Sequence, residues 1–175
     1  MSGAEQQNNQ RWTFGTRVIA NQISRARWRN TLTYRIHPRV TAGIEYNPLA
    51  GKVSPLANWL ALTETKRRPA LVLGTSSDRI GTPSGQSFYA TLSKSLKRET
   101  GLPIAPYAGV AYGTFEDRLR AIGGLNFHVG ERWSSTIIFD GVRVHPLVNF
   151  NYGRHAFSVI MERGRNPGAS YSVSF

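Results

Sequence analysis

Residues 169–175 read Ala169-Ser170-Tyr171-Ser172-Val173-Ser174-Phe175. Apolar side chains alternate with serine, and an extended strand turns that period of two into one greasy face and one polar face. The polar face carries only small hydroxyls, which suits a wet or crowded interior. The same alternation recurs upstream. Over 25–36, Trp28, Leu32, Tyr34 and Ile36 oppose Arg25, Arg27, Arg29, Thr31, Thr33 and Arg35. Over 39–47, Val40, Ala42, Ile44 and Tyr46 oppose Arg39, Thr41, Gly43 and Glu45.

Runs of this kind predict twelve strands, at 11–22, 25–36, 39–47, 56–65, 69–76, 86–96, 104–114, 119–129, 133–140, 143–152, 155–162 and 168–175, with ten as the other possible count. Turn chemistry separates them, as at His37-Pro38, Lys66-Arg67-Arg68-Pro69, Asp140-Gly141 and Gly153-Arg154. The segment 47–55, with two prolines, reads as a loop, and 76–85 as the longest one. Longer connections are expected after odd-numbered strands, except after the first, seventh and ninth. No 3.6-residue pattern persists, so little helix is expected.

Composition narrows the class. A chain of 175 residues predicts one domain, 11–175, behind a polar segment, 1–10, expected to be disordered. No run approaches the ~18–20 apolar residues of a membrane-spanning helix. The polar start has no apolar signal core, which leaves two expectations: a leader removed and a Met supplied, or a chain that is not exported. The absence of cysteine excludes disulfides, thiolate metal sites and a cysteine nucleophile. A formal net charge of +12 predicts an anionic partner.

Runs of roughly 8–11 residues match a tilted strand crossing a hydrocarbon layer, and an even, closed count leaves no open edge. Trp12, Trp28, Tyr46, Tyr112, Trp133, Tyr152 and Phe175, with Phe88, fall near run ends, where interfacial aromatics would sit. A soluble sandwich or lipocalin-like barrel alternates too, with the apolar face inward. Strand length, aromatic placement and the terminal Phe175 favour the membrane.

A last strand that ends on Phe175, with apolar residues two, four and six positions earlier, resembles the closing strand of Gram-negative outer-membrane β-barrels. The resemblance implies an all-β, closed antiparallel transmembrane β-barrel with short turns. It also implies a bacterial outer-membrane location among lipid and lipopolysaccharide, and recognition of the Phe175 strand by the barrel-insertion machinery. The stretch from Pro69 through Arg79-Ile80-Gly81-Thr82 to Ser93-Lys94, with Pro106-Tyr107-Ala108-Gly109 and Asp140-Gly141, resembles barrels encoded with exopolysaccharide operons. That likeness covers under half the chain. It implies a non-enzymatic envelope barrel with a filled lumen, serving polysaccharide export or surface assembly.

With apolar side chains facing lipid, Arg17, Arg27, Arg29, Arg35, Arg39 and Arg120, together with Arg11 and Arg25, are expected in the lumen or at its rims. Arg17, Arg27, Arg29 and Arg35 form one cationic ladder on neighbouring strands, with Glu45 as the nearby inward carboxylate. A water-filled lumen lined this way attracts anions and repels cations. It resembles the arginine-lined narrow barrels that admit acidic oligosaccharides, which implies a passive pore for small or oligomeric anionic solutes. Alternatively the arginines fill the lumen and pair with Glu45, Glu64, Asp140 and Glu162. A second basic set, Lys52, Arg79, Arg118, Arg143, Arg163 and Arg165, falls in loops, either solvated or facing lipid phosphates.

Catalysis has little support. His37, His128, His145 and His155 match no metal spacing, and Ser134 or Ser135 with His128 or His145 has no identifiable orienting acid. The chain is expected to be no enzyme and to need no cofactor or metal. A soluble basic protein binding nucleic acid is a further alternative. It is disfavoured because arginines and aromatics occupy opposite strand faces, whereas stacking and phosphate contacts want one face.

Overall fold

The computed structural model describes residues 10–175, so the first nine residues of the polar N-terminal segment lie outside the described residues. Twelve antiparallel strands close into one barrel: β1 (Trp12–Ile19), β2 (Trp28–His37), β3 (Val40–Asn47), β4 (Lys52–Leu62), β5 (Ala70–Ser77), β6 (Gln86–Ser93), β7 (Ile104–Gly113), β8 (Arg118–Val129), β9 (Trp133–Phe139), β10 (Val144–Tyr152), β11 (His155–Glu162) and β12 (Asn166–Ser174). Each strand pairs with its sequence neighbours, and β12 returns to β1 in register from Thr13↔Ser174 to Ile19↔Gly168. Trp12 and Phe175 exchange backbone hydrogen bonds of 2.9 Å in both directions across this seam. Helix is confined to α1 (Ser24–Arg27), α2 (Lys97–Thr100) and a 3₁₀ turn at Pro48–Ala50. An even strand count puts both termini at one end, called here the near end. The far end carries the connections 20–27, 48–51, 78–85, 114–117, 140–143 and 163–165.

Burial is inverted relative to a water-soluble barrel. Among the described residues the buried apolar set is Ile19, Ala26, Ala70, Ala105 and Ile160, while Trp12, Phe14, Trp28, Ile44, Trp59, Phe88 and many more large apolar side chains are exposed. The fully buried side chains include Glu45, Glu162, His145 and Asn47. Apolar area in such continuity costs too much in water, at roughly 25 cal/mol per Å², and is the surface of a membrane-protein-like β-barrel. The expected aromatics all lie on this outer face and divide into two belts. Trp12, Trp133, Tyr152 and Phe175 stand at the near end, and Trp28, Tyr46 and Tyr112 at the far end. Trp59, 51% exposed and opposite Val40 near the same rim, joins the near belt.

Proline marks where ladders stop, because it has no N–H to donate. Pro146 pairs with Ile137 of β9 one residue before the β10–β11 ladder begins at Leu147. Pro167 pairs with Met161 of β11 one residue before β12 meets β1 at Gly168. Inside the wall, Tyr89 lies over its register partner Gly74, where a Cβ would stand 2.5 Å from the ring, and its hydroxyl reaches Asn58. Only glycine leaves room for that aromatic to lie flat on the lumen wall.

Several boundaries depart from the sequence pattern. The alternation runs back to residue 25, yet β2 begins at Trp28 and β1 ends at Ile19. Residues 20–27 instead leave the wall and bury Gln22, Arg25 and Ala26 in the far mouth. The stretch 52–55 belongs to β4 rather than to a loop. Pro48 opens the 3₁₀ turn, Gly51 ends it at φ 60°, and Pro55 pairs with Ile44 two residues before the β4–β5 ladder starts at Ala57. Long connections stand at both ends, 20–27 and 78–85 far, 63–69 and 94–103 near, so the expected alternation in loop length does not hold.

Candidate functional site: a cationic lumen under a latched mouth

Period two places Arg17 of β1 and Arg29 of β2 on the lumen side, where they are register partners. One strand further, Glu45 of β3 points the same way. Its carboxylate is completely buried, lies 2.6 Å from the Arg29 guanidinium, and accepts a 2.8 Å hydrogen bond from Asn47 Nδ2. Arg17, Arg29 and Arg25 line a cavity of about 610 Å³ beneath the far mouth. The carboxylates beside it are otherwise engaged. Asp78 accepts from the amides of Arg79 and Phe115, and Asp140 from His145 and the amides of Val142 and Arg143. Two guanidinium nitrogens, Nε of Arg17 and Nε of Arg29, are buried with no hydrogen-bond partner in the protein. A buried N–H of a cation is costly to leave unmet, so the two guanidinium groups sit beside the cavity with part of their hydrogen-bonding capacity unused by the protein.

The far mouth is closed by a latch. Arg25 of α1 is 5% exposed and donates Nε to Thr82 O at 2.6 Å and Nη2 to Asp78 O, Arg79 O and Thr82 Oγ1 at 3.0, 2.6 and 2.9 Å. One guanidinium thus fastens the 20–27 connection to the 78–85 loop from a distant strand pair. Beside it, the buried Glu162 accepts from Gln22 Nε2, Asn166 Nδ2 and Arg163 Nε at 2.8, 2.7 and 2.8 Å. Glu116, in the 114–117 turn, accepts from both Arg79 and Arg120.

The hydrogen-bonded Arg79 guanidinium, aided by Arg120 against the opposing effect of burial, holds the Glu116 carboxyl down at about 2, from an ordinary 4.5. For Asp140 burial pushes the carboxyl up, but the hydrogen bonds from His145 and the Arg143 and Val142 amides outweigh it and hold it below its ordinary value. A depressed carboxylate contributes stability that is complete above its unfolded value and is lost as pH falls through its folded value. The Glu116 contribution should therefore disappear between pH about 4.5 and about 2. Thermal melts across that window are expected to fall less steeply for Glu116→Gln than for the wild type. Parallel slopes would remove Glu116 from the account.

Of the other expected lumen residues, Arg35 keeps the inward face, in register with Thr41, and Arg120 points inward but is held by Glu116. Arg27 does not belong to the ladder. It ends α1, is exposed, and donates Nε to Gln22 O, because the chain leaves the sheet before Trp28. Arg39 lies in the two-residue β2–β3 turn, exposed at the near rim rather than in the lumen. Arg79, Arg143 and Arg163, from the loop set, converge over the far mouth.

A second cavity of about 560 Å³ opens at the near end, where Lys66, Lys94, Lys97 and Arg98 crowd Glu64 and Glu99. Lys94 Nζ donates to Lys66 O and pairs with Glu99, which ties the 63–69 and 94–103 connections together. The sequence pattern puts Lys66, Lys97, Arg98 and Glu99 in turns and Glu64 and Lys94 at strand ends, whereas β4 stops at Leu62 and β6 at Ser93. The run Lys66-Arg67-Arg68 was the available signal, but nothing local says that α2 stands beside it.

His128 and Ser134 are register partners near that rim, with no hydrogen bond between them among the described residues. Ser134 accepts instead from Asn149, and Ser135 donates to Leu147 O. His145 is at the opposite end, where its Nδ1 accepts from the Arg163 amide, assigning the proton to the Nε2 that faces Asp140. Among the described residues no three His, Cys, Asp or Glu side chains group as a metal site would.

The geometry defines an inside-out, twelve-stranded barrel with a cationic interior and one latched mouth. No protein-family model matches the chain, and no curated protein matches its sequence.

Proposed function

We propose that the protein is an outer-membrane β-barrel acting as a narrow passive pore for small or oligomeric anionic solutes. The observation that carries this reading is the pair of partnerless guanidinium nitrogens of Arg17 and Arg29 beside the 610 Å³ lumen cavity. Arg17, Arg25 and Arg29 stand against the single carboxylate of Glu45, which is already paired with Arg29, so the field inside favours anions and excludes cations. The two aromatic belts support membrane residence amid lipid and lipopolysaccharide, and the Phe175 strand at the barrel seam is the segment offered to the insertion machinery. The aromatic belts lie on the outer face and the ladder arginines on the inner one, where Tyr89 is the ring beside Arg29, an arrangement that speaks against nucleic-acid binding.

Expressed with an export signal, the protein should fractionate with the outer membrane and migrate differently on gels before and after boiling. Recovery as a soluble protein without detergent would overturn the membrane reading. In planar bilayers under a salt gradient the reversal potential should report anion preference, and Arg17→Gln with Arg29→Gln should move it toward neutrality. Cation preference, or no conductance at any voltage, would defeat the pore.

A second reading, a non-enzymatic envelope barrel with a filled lumen serving polysaccharide export or surface assembly, is favoured by the four hydrogen bonds of Arg25 across the far mouth. On that reading deletion alters surface polymer and leaves anion uptake unchanged.

A further inference from the structure

The connections 78–85, 140–143 and 163–165 leave separate parts of the barrel wall and meet over the far mouth. They bring three guanidinium groups together at Gly81. The position a Cβ would take on Gly81 lies 3.5 Å from Arg79 Nη1, 3.6 Å from Arg143 Nη1 and 3.7 Å from Arg163 Nη2. Gly81 has φ +104°, a conformation side chains rarely adopt, so the space the three nitrogens surround stays clear of a side chain of its own.

The nearby carboxylates hold the other sides of these groups. Glu116 takes Nε and Nη2 of Arg79, and Nη1 donates one 3.3 Å hydrogen bond to Ile80 O. Glu162 takes Nε of Arg163, leaving Nη2 toward Gly81. Arg143 Nη1 is 3.8 Å from Glu162, is buried, and has no hydrogen-bond partner in the protein. The three nitrogens around the Gly81 position are therefore weakly engaged: Arg79 Nη1 makes one long hydrogen bond, Arg143 Nη1 makes none, and the Glu162 contact to Arg163 is made through Nε. Three guanidinium charges share the Glu116 and Glu162 carboxylates, and Glu116 also serves Arg120, so the cluster keeps a positive excess that favours an added anion. A carboxylate matches a single guanidinium fork, whereas donors arriving from three directions match an anion with three or more oxygens.

We propose that Arg79, Arg143 and Arg163 form a binding site for a phosphate-class oxyanion at the far mouth, centred over Gly81. The ligand is either a soluble phosphate or the phosphomonoester of a lipid headgroup. The site stands on the convergence of the three connections and is independent of whether the lumen conducts, so a silent bilayer recording leaves its test unchanged.

The test uses the full chain folded in detergent at roughly physiological salt, where exposed charges are largely screened. Calorimetric titration with inorganic phosphate is one arm. Retention of phosphatidic acid against phosphatidylcholine in mixed micelles, without inorganic phosphate, is the other. Arg143→Gln and Arg163→Gln are each expected to weaken binding by about tenfold or more, the usual cost of a charge-assisted hydrogen bond. Arg154→Gln, in the exposed turn at the opposite end, should bind as the wild type does. Saturable binding of inorganic phosphate identifies a soluble ligand, and selective retention of phosphatidic acid alone identifies a headgroup. The proposal is overturned when neither probe binds, or when both site variants bind as tightly as the wild type. Should Arg143→Gln lose its heat-modifiable gel shift, Arg163→Gln, whose side chain is exposed on a turn, still decides the question.

Discussion

Glu45→Ala is expected to destabilise the barrel by about 3–5 kcal/mol, because it strips a buried ion pair of one partner and leaves the other charged. Glu45 is 0% exposed, and the guanidiniums of Arg17 and Arg29 stand side by side on the adjoining strands. Glu45→Gln keeps the shape and an acceptor for Asn47 but removes the charge, so it should carry most of the same loss. Urea titration of the protein folded in lipid vesicles measures both. High salt should restore part of the stability, since anions entering the lumen screen the exposed pair of cations. A loss under about 1 kcal/mol, the range of solvated surface pairs, would mean that Glu45 is not the counter-charge the geometry makes it.

The second large effect is expected at Arg25. Its guanidinium is the clasp between the 20–27 connection and the 78–85 loop, and Arg25→Ala leaves Thr82, Asp78 and Arg79 with carbonyls that water must then satisfy. Single-channel conductance should rise several-fold, and limited proteolysis should find the 78–85 loop. Arg25→Lys retains the charge but not the planar fork, so it should open the mouth nearly as far. Unchanged conductance and protection in both variants would show that the loop is held shut by its other contacts, the Arg79–Glu116 pair first among them.

The strand period was readable because it is local; it left ten or twelve strands open, and the outward direction of the apolar face was favoured by strand length and aromatic placement. In β2, Trp28, Leu32 and Ile36 announce one face at two-residue spacing, and Trp12, Trp133 and Phe175 announce where strands meet a boundary. Arg17, Arg29 and Arg35 follow from the same rule. Arg27 did not, since Arg25-Ala26-Arg27-Trp28-Arg29 continues the alternation unbroken while the chain turns out of the sheet. Its departure is set by the carbonyls of Asp78, Arg79 and Thr82, more than fifty residues away. Pro55 misled for a related reason. A proline is tolerated wherever one ladder has ended, and the end of a ladder belongs to the partner strand.

The sequence by itself determined the period and which charged side chains share the polar face, and narrowed the strand count to twelve or ten, because each rests on which side chain follows which along one extended chain. Closure decided the rest. Only when β12 meets β1 do the turns at 140–143 and 163–165 come within reach of the loop at 78–85. Arg79, Arg143 and Arg163 then become neighbours instead of separate solvated charges. Burial of Glu45 and Glu162, and the latch through Arg25, arise in the same way, from the low-dielectric space that no strand encloses alone.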